Sequence, residues 1–314
     1  RMLSGAEVDT LIKDEPGQWK GGMFTASDAR AEPWKAVPAM AESLRARGGL
    51  IREGCAVRSI ETQAGRVCGV VTEHGRVGAQ SVVCAGGAWS TLFMANLGVS
   101  LPQLSVRATV ARTAPAPDIY QGNATMGEVA IRRREDGGYT VASGVSNEHF
   151  IGADSFRYFF KYLPALRASV RFIRLRFGGN LVERLLPVRS WGDDEVSPFE
   201  QTRVLNPDPS ATALRQMRDG LVKRLPKLAA LPFEEAWAGM IDVTPDVVPV
   251  MDEVADYPGL YLATGFSGHG FGIGPGAGRV MADMVFGRPA VHDLTRFRLS
   301  RFSDGSPMQP GPGL

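Results

Sequence analysis

The chain has 314 residues, 44% apolar and 22% charged, with a net charge of +2. That length suits a large core and two domains, the composition is that of an ordinary globular protein, and the charge gives no sign of a nucleic-acid partner. No apolar run reaches the length of a membrane span, and Cys55, Cys68 and Cys84 lack any C-x-x-C spacing, so they read as core thiols of a reducing compartment rather than as ligands or disulfides.

The sequence opens on an amphipathic run of Met2, Leu3, Val8, Leu11 and Ile12, where Ser4 and Glu7 spell a capping box. A loop is expected from Gly21 to Glu32. Pro33–Arg47 reads as a helix with Ala36, Val37, Met40, Ala41 and Leu44 on one face, closed by Gly48-Gly49. A strand (Ala56–Glu61) and a hairpin (Arg66–Thr72, turn at His74-Gly75, return to Gln80) follow. Ser81–Ala85 is continuously apolar and predicts a buried parallel strand; Ala88–Leu97 predicts a helix. From Leu101 the character changes to alternating strands at Val106–Thr113, Glu128–Arg134 and Tyr139–Val145, with an Asp136-Gly137-Gly138 hairpin between the last two. Helices are expected at Ser155–Tyr162 and Ala211–Leu225, the second preceded by a break at Asn206-Pro207-Asp208-Pro209. The basic clusters Arg132–Arg134 and Val170–Arg176 alternate with apolar residues and read as exposed faces.

Tyr261–Gly287 is the most informative stretch. An apolar strand, Leu260–Ala263, leads into glycines at every second or third position from Gly265 to Gly278, and Val280, Met281, Met284 and Val285 lead out as a helix. Glycine has a conformational-entropy cost, and such density suits backbone that passes close to a bound group. A strand, a glycine loop and a helix N-terminus direct free N–H groups and a positive dipole end at a phosphate or at a cofactor ring that gains negative charge. Gly272, Gly274 and Ala277 match G-x-G-x-x-A. The rest of a dinucleotide fingerprint, a tight turn straight after the strand and a following strand with an acidic residue, is missing, and no G-x-x-x-x-G-K-[ST] occurs. A tight packing turn between strand and helix is the alternative reading of the glycines.

Gly265-Phe266-Ser267-Gly268-His269-Gly270-Phe271 before a glycine-rich helix start resembles the C-terminal flavin-contacting segment of the D-amino-acid oxidase (DAO-type) FAD-dependent oxidoreductases. Val82–Ser90 (VVCAGGAWS) resembles the family's second FAD signature, and Gly49–Glu61 resembles the strand whose backbone, here at Val57, meets the adenine. Trp237-Ala238-Gly239 with Thr244-Pro245-Asp246 resembles the family's W-x-G…T-P-D block, and Arg301-Phe302 its terminal R-F. The likeness covers most of the chain and is weakest over 110–235. It implies an α/β fold, an FAD/NAD(P)-binding-type domain without its N-terminal βαβ unit, carrying an inserted α+β substrate domain. The expected partition is 1–100 and 237–314 for the FAD domain and 101–236 for the substrate domain.

The resemblance also implies non-covalent FAD and oxidation of a C–N bond of an amino acid or secondary amine, with hydride passing to flavin N5. The implied cofactor contacts are Val57, Ala85, Gly86, Gly87, Trp89, Gly265, Gly268, His269, Gly270, Phe271, Gly272 and Ile273. His269 is the candidate catalytic residue; a histidine that satisfies loop carbonyls is the alternative. Met240 and Ile241 fall in the substrate block. Many members carry an arginine where Ile241 stands, to grip a substrate carboxylate; Arg189 and Arg203 are the candidates to replace it. Asp242 would pair with an ammonium group or serve as a capping residue. Gly272 stands where sarcosine-oxidase relatives have a lysine, which leans toward a dehydrogenase with a separate electron acceptor. No metal site is indicated. The family's opening G-x-G-x-x-G is not in the sequence, so the chain is expected to be a truncated form, or a subunit whose partner chain supplies the missing unit; a non-catalytic assembly subunit is the competing function. The expected location is cytoplasmic, with peripheral association at the inner membrane left open.

Overall fold

The structure is a computed structural model that describes residues 1–144, 147–169, 173–178 and 190–311. It is a mixed α/β chain that divides into two compact units: residues 1–51, 107–147 and 206–239 form one, and 52–106, 148–205 and 240–314 the other. Two of the unit boundaries fall inside long strands, Leu104–Thr113 and Phe233–Val243. This division differs from the expected partition chiefly over residues 1–51 and 148–205. Residues 1–51 join the first unit because Leu3, Val8 and Ile12 enter one core with Val129, Ile131, Met217 and Leu221. Residues 190–205 join the second because Phe199 packs against the core of Phe93, Leu101 and Leu260.

In the first unit, Ser4 caps the helix Gly5–Leu11. Its hydroxyl accepts from the Glu7 amide at 3.3 Å, and its own amide donates back to the Glu7 carboxylate at 2.8 Å, the reciprocal pair that the sequence spelled. The expected loop from Gly21 begins instead as a strand, Gly21–Met23, antiparallel to Met2–Ser4. A Cβ on Gly21 would lie 2.7 Å from the Leu3 carbonyl oxygen, so the pairing needs glycine there. Val129–Arg133 and Tyr139–Ser143 form the expected hairpin, with Gly137 at φ 84° in its turn. The helix Pro33–Ala46 forms as expected, but none of its residues is buried, and Val37, Met40 and Leu44 are about half exposed.

The second unit holds the glycine-rich segment. Its sheet orders Val250–Glu253, Leu260–Thr264 and Val82–Cys84, the last two parallel. Val82–Cys84 was expected to be buried. It is the edge strand of this sheet, and Val83 is 41% exposed. The larger correction concerns Gly265–Gly278. The helix begins at Gly270 and runs to Val285, so most of the glycines lie in its first turns and the connecting loop is only 265–269. Glycine disfavours helix, but packing overrides that preference: Ala277 and Met281 are buried against Met251 and Tyr261. Beyond the helix, Arg301 is 6% exposed and closes on Asp246 through two bonds of 2.8 and 3.1 Å. No helix among the described residues is long and apolar enough to cross a membrane.

Candidate functional site

Two neighbouring features of the second unit gather most of the residues singled out by the sequence. The first is a cleft of about 580 Å³ lined by Val57, Ala85, Gly86 and Trp89, with Val70, Phe93, Phe199 and Arg203 among the other walls. Val57 opens the strand Val57–Gln63, and Ala85–Trp89 follow Val82–Cys84 as a tight turn with Gly87 at φ 54°. Trp89 stands edge-on to Phe199, centroids 5.4 Å apart. The walls are apolar, with small residues where backbone lies open, the character of a pocket for a flat ring. Arg203 is not free to take a substrate carboxylate: it donates two bonds, 2.7 and 2.6 Å, to Glu73, whose carboxyl is thereby held down at about 2. Arg189 lies outside the described residues.

The second feature is the 265–269 loop. Gly265 (φ 75°), Ser267 (φ 52°) and Gly268 (φ 83°) take left-handed backbone in a row of four residues. A Cβ on Gly265 would sit 2.4 Å from Thr244 Cγ2. The loop is strapped to the end of Phe233–Val243. The Ser267 amide donates to the Asp242 carbonyl at 3.0 Å, the Gly265 amide donates to the Asp242 carboxylate at 2.6 Å, and the Ser267 hydroxyl donates to the Gly265 carbonyl at 3.0 Å. His269 is the N-cap residue of the helix and makes no side-chain capping bond; Gly270, Phe271, Gly272 and Ile273 form the first turn. The amides of Gly272 and Ile273 turn back to the His269 carbonyl, which leaves the earlier amides of the turn to face outward. The G-x-G-x-x-A match therefore lies within the helix and cannot form a phosphate-cradling turn.

A Cβ placed on Gly272, Gly274, Gly276 or Gly278 would meet no heavy atom within 4 Å. Packing within this chain does not require glycine at those positions, and the bare backbone leaves room for a flat group to approach. Open backbone at the helix start, left-handed turns before it and the apolar cleft beside Gly86 together fit a flavin dinucleotide. Ile241 packs with Tyr162, Val106 and Val243, and a Cβ on Gly268 would come within 3.7 Å of its Cδ1. It therefore forms the floor beneath the loop rather than a polar grip. Met240 is the preceding residue on the same strand, half-buried.

The sequence reading gave no role to Thr264 or Gln103, both buried, which join the two features. The Gly87 carbonyl accepts from Gln103 Nε2 at 2.6 Å and from Thr264 Oγ1 at 3.2 Å. Thr264 Oγ1 also lies 3.2 Å from the Asp242 carboxylate. Burial pushes the Asp242 carboxyl up, against the lowering effect of bonds from the amides of Gly265, Asp242 itself and Phe266 and from the Thr264 hydroxyl. Only a polar residue inside an apolar strand signalled Thr264, and nothing local signalled Gln103.

Residues 1–284 match the FAD dependent oxidoreductase (DAO) family, and the chain belongs to it. Among individual proteins, it is 32% identical to the L-amino acid deaminase from Proteus vulgaris over 96% of this chain and 70% of that one, with a TM-score of 0.90. The deaminase from Proteus myxofaciens, solved in complex with anthranilate, is also 32% identical, over 96% and 68%, with a TM-score of 0.91. A D-amino acid dehydrogenase from Paramagnetospirillum magneticum is 24% identical over 94% of this chain and 58% of its own length. The chain thus spans somewhat under two thirds of the curated dehydrogenases it matches.

Proposed function

We propose that this chain is the larger part of an FAD-dependent dehydrogenase that oxidises the C–N bond of an amino acid, with an L-amino acid as the favoured substrate class. The observation that carries the reading is the bridge between the two candidate cofactor segments, in which Thr264 and Gln103 both bond to the Gly87 carbonyl. The L preference rests on the 32% identity with the Proteus deaminases against 24–27% with the D-amino acid dehydrogenases. When bound, FAD supplies the hydride acceptor, its N5. The chain's own residues hold and orient. Val57, Ala85, Gly86 and Trp89 line the cleft for one end of the dinucleotide. The Gly265–Ile273 backbone approaches the other end, where the positive end of the helix dipole favours negative charge. In this reading His269, at the helix start, donates a hydrogen bond toward the ring or the substrate. Ile241 and Met240 offer apolar surface and exclude water.

The reading includes a separate electron acceptor, and a pyrophosphate-binding turn supplied by chain outside these 314 residues. A non-catalytic assembly subunit is the competing reading. Supplied with the missing unit, the protein is expected to purify yellow and to reduce an artificial dye with L-amino acids, releasing ammonia. Dye reduction with D-amino acids alone would overturn the stereochemical assignment, and a colourless protein that binds no FAD would leave the assembly-subunit reading.

A further inference from the structure

The cleft of the second unit has walls of two origins. One is the start of the strand at Cys55–Val57 with the turn after Cys84; the other is Phe199, Arg203 and Val204, from the distant segment 191–204. Two carboxylates join these walls, one on each side of Val57. Glu73 Oε1 accepts from the Ala56 amide at 2.7 Å and from Arg203 Nη1 at 2.7 Å, and Glu73 Oε2 accepts from Arg203 Nη2 at 2.6 Å. Arg58 donates through Nε and Nη2 to Glu200, the neighbour of Phe199, at 2.9 and 2.8 Å. Both are two-bond guanidinium–carboxylate pairs, which fix direction as well as distance. The Trp191 end of the segment is held on the same strand. Trp191 Nε1 donates to the Arg58 carbonyl at 2.8 Å, Arg58 Nη1 donates to the Asp193 carbonyl at 3.1 Å, and the Ser59 hydroxyl donates to the Asp193 carboxylate. Phe199 stands edge-on to both Trp89 and Trp191, centroids 5.4 Å apart in each case.

The two pairs differ in shielding. The side chains of Arg58 and Glu200 are 15% and 9% exposed, whereas Arg203 is 46% exposed and Gln201–Val204 all face solvent. Among the described residues, no side chain other than Glu73 bonds to the stretch 201–205. We infer that residues 191–204 are a strap across the cofactor cleft, fixed at its Trp191–Glu200 end, and that Glu73 is the positioning residue that holds the Arg203 end shut over the bound dinucleotide. The identity of the group under the strap rests on the proposed function. An exposed ion pair weakens with salt and with loss of either charge, and a shielded one much less. Release of Arg203 from Glu73 therefore frees Arg203 and Val204 from the cleft mouth without unseating Phe199.

Glu73→Gln keeps an acceptor for the Ala56 amide and removes the charge that holds Arg203. In the chain alone, trypsin cleavage after Arg203 is expected to run about 2- to 5-fold faster in this variant, while other sites keep their rates. In the completed protein the variant is expected to release FAD faster by a similar factor, with the association rate unchanged. Added salt should speed release from the wild type but not from the variant. Arg203→Lys, which keeps the charge without the fork, should fall between the two. If Glu73→Gln does not fold, Arg203→Lys and the salt dependence of the wild type decide the matter. Cleavage after Arg203 at the wild-type rate would overturn the strap, and faster cleavage with unaltered FAD release would overturn its hold on the cofactor. A wild type that binds no FAD would instead refute the proposed function and the cofactor's place under the strap, with trypsin cleavage reporting on the strap separately.

Discussion

Gly272→Ala is expected to have opposite effects on the empty and the loaded protein. Gly272 is the third residue of the helix Gly270–Val285, its φ is not positive, and an added Cβ meets nothing within 4 Å. In the empty chain alanine should therefore stabilise by about 0.5–1 kcal/mol, the usual helical difference between the two residues. For a chain of this size that is an upward shift in Tm of roughly 0.8–1.5 °C, better resolved as a rise in the urea midpoint at constant slope. If the bare backbone is there for close approach of a ring, the added methyl overpacks the complex by about 1–3 kcal/mol, a loss of roughly 5- to 150-fold in FAD affinity. Urea unfolding of the empty chain and flavin fluorescence titration of the completed protein read the two arms. A variant that binds FAD like wild type would refute the cradle. A destabilised empty chain would refute the helical account of the glycines.

Three further outcomes are expected. Arg301→Met leaves Asp246 buried and unpaired, and should cost about 3–5 kcal/mol in urea unfolding, given side-chain exposures of 6% and 4% for the pair. Glu200 accepts two bonds from Arg58, at 2.9 and 2.8 Å, which hold its carboxyl at about 2 instead of the usual 4.5. A depressed folded value stabilises fully above about pH 4.5 and fades as the pH falls toward about 2. Arg58→Met should therefore flatten the acid limb of a stability–pH curve. His269→Ala should leave unfolding unchanged, since the side chain makes no capping bond. It should shift the flavin potential of the completed protein; an unaltered potential with unaltered turnover would assign the histidine to the loop alone.

Local chemistry was legible in the sequence. Ser4 and Glu7, Asp136-Gly137-Gly138, the Pro33–Arg47 helix and the strand leading into Gly265 all rest on neighbours a few residues apart, and there the expected and observed elements agree. The family, too, was carried by short runs such as Gly265–Phe271 and Val82–Ser90. What the tertiary structure decided depends on partners distant in sequence. The glycine run became helix because Ala277 and Met281 could be buried on another strand, Met23 entered a strand because Gly21 let Leu3 come close, and the apolar Val82–Cys84 stayed half exposed because it lies at a sheet edge. Gln103 and Thr264 drew no role from their own sequence surroundings, and Asp242 was noted only as an ammonium partner or a cap. They meet because Gln103 and Thr264 both reach the Gly87 carbonyl and Thr264 also reaches Asp242. Propensity and capping act over one turn of chain, whereas burial and shared protons depend on which atoms the finished fold brings within 3 Å or so of each other.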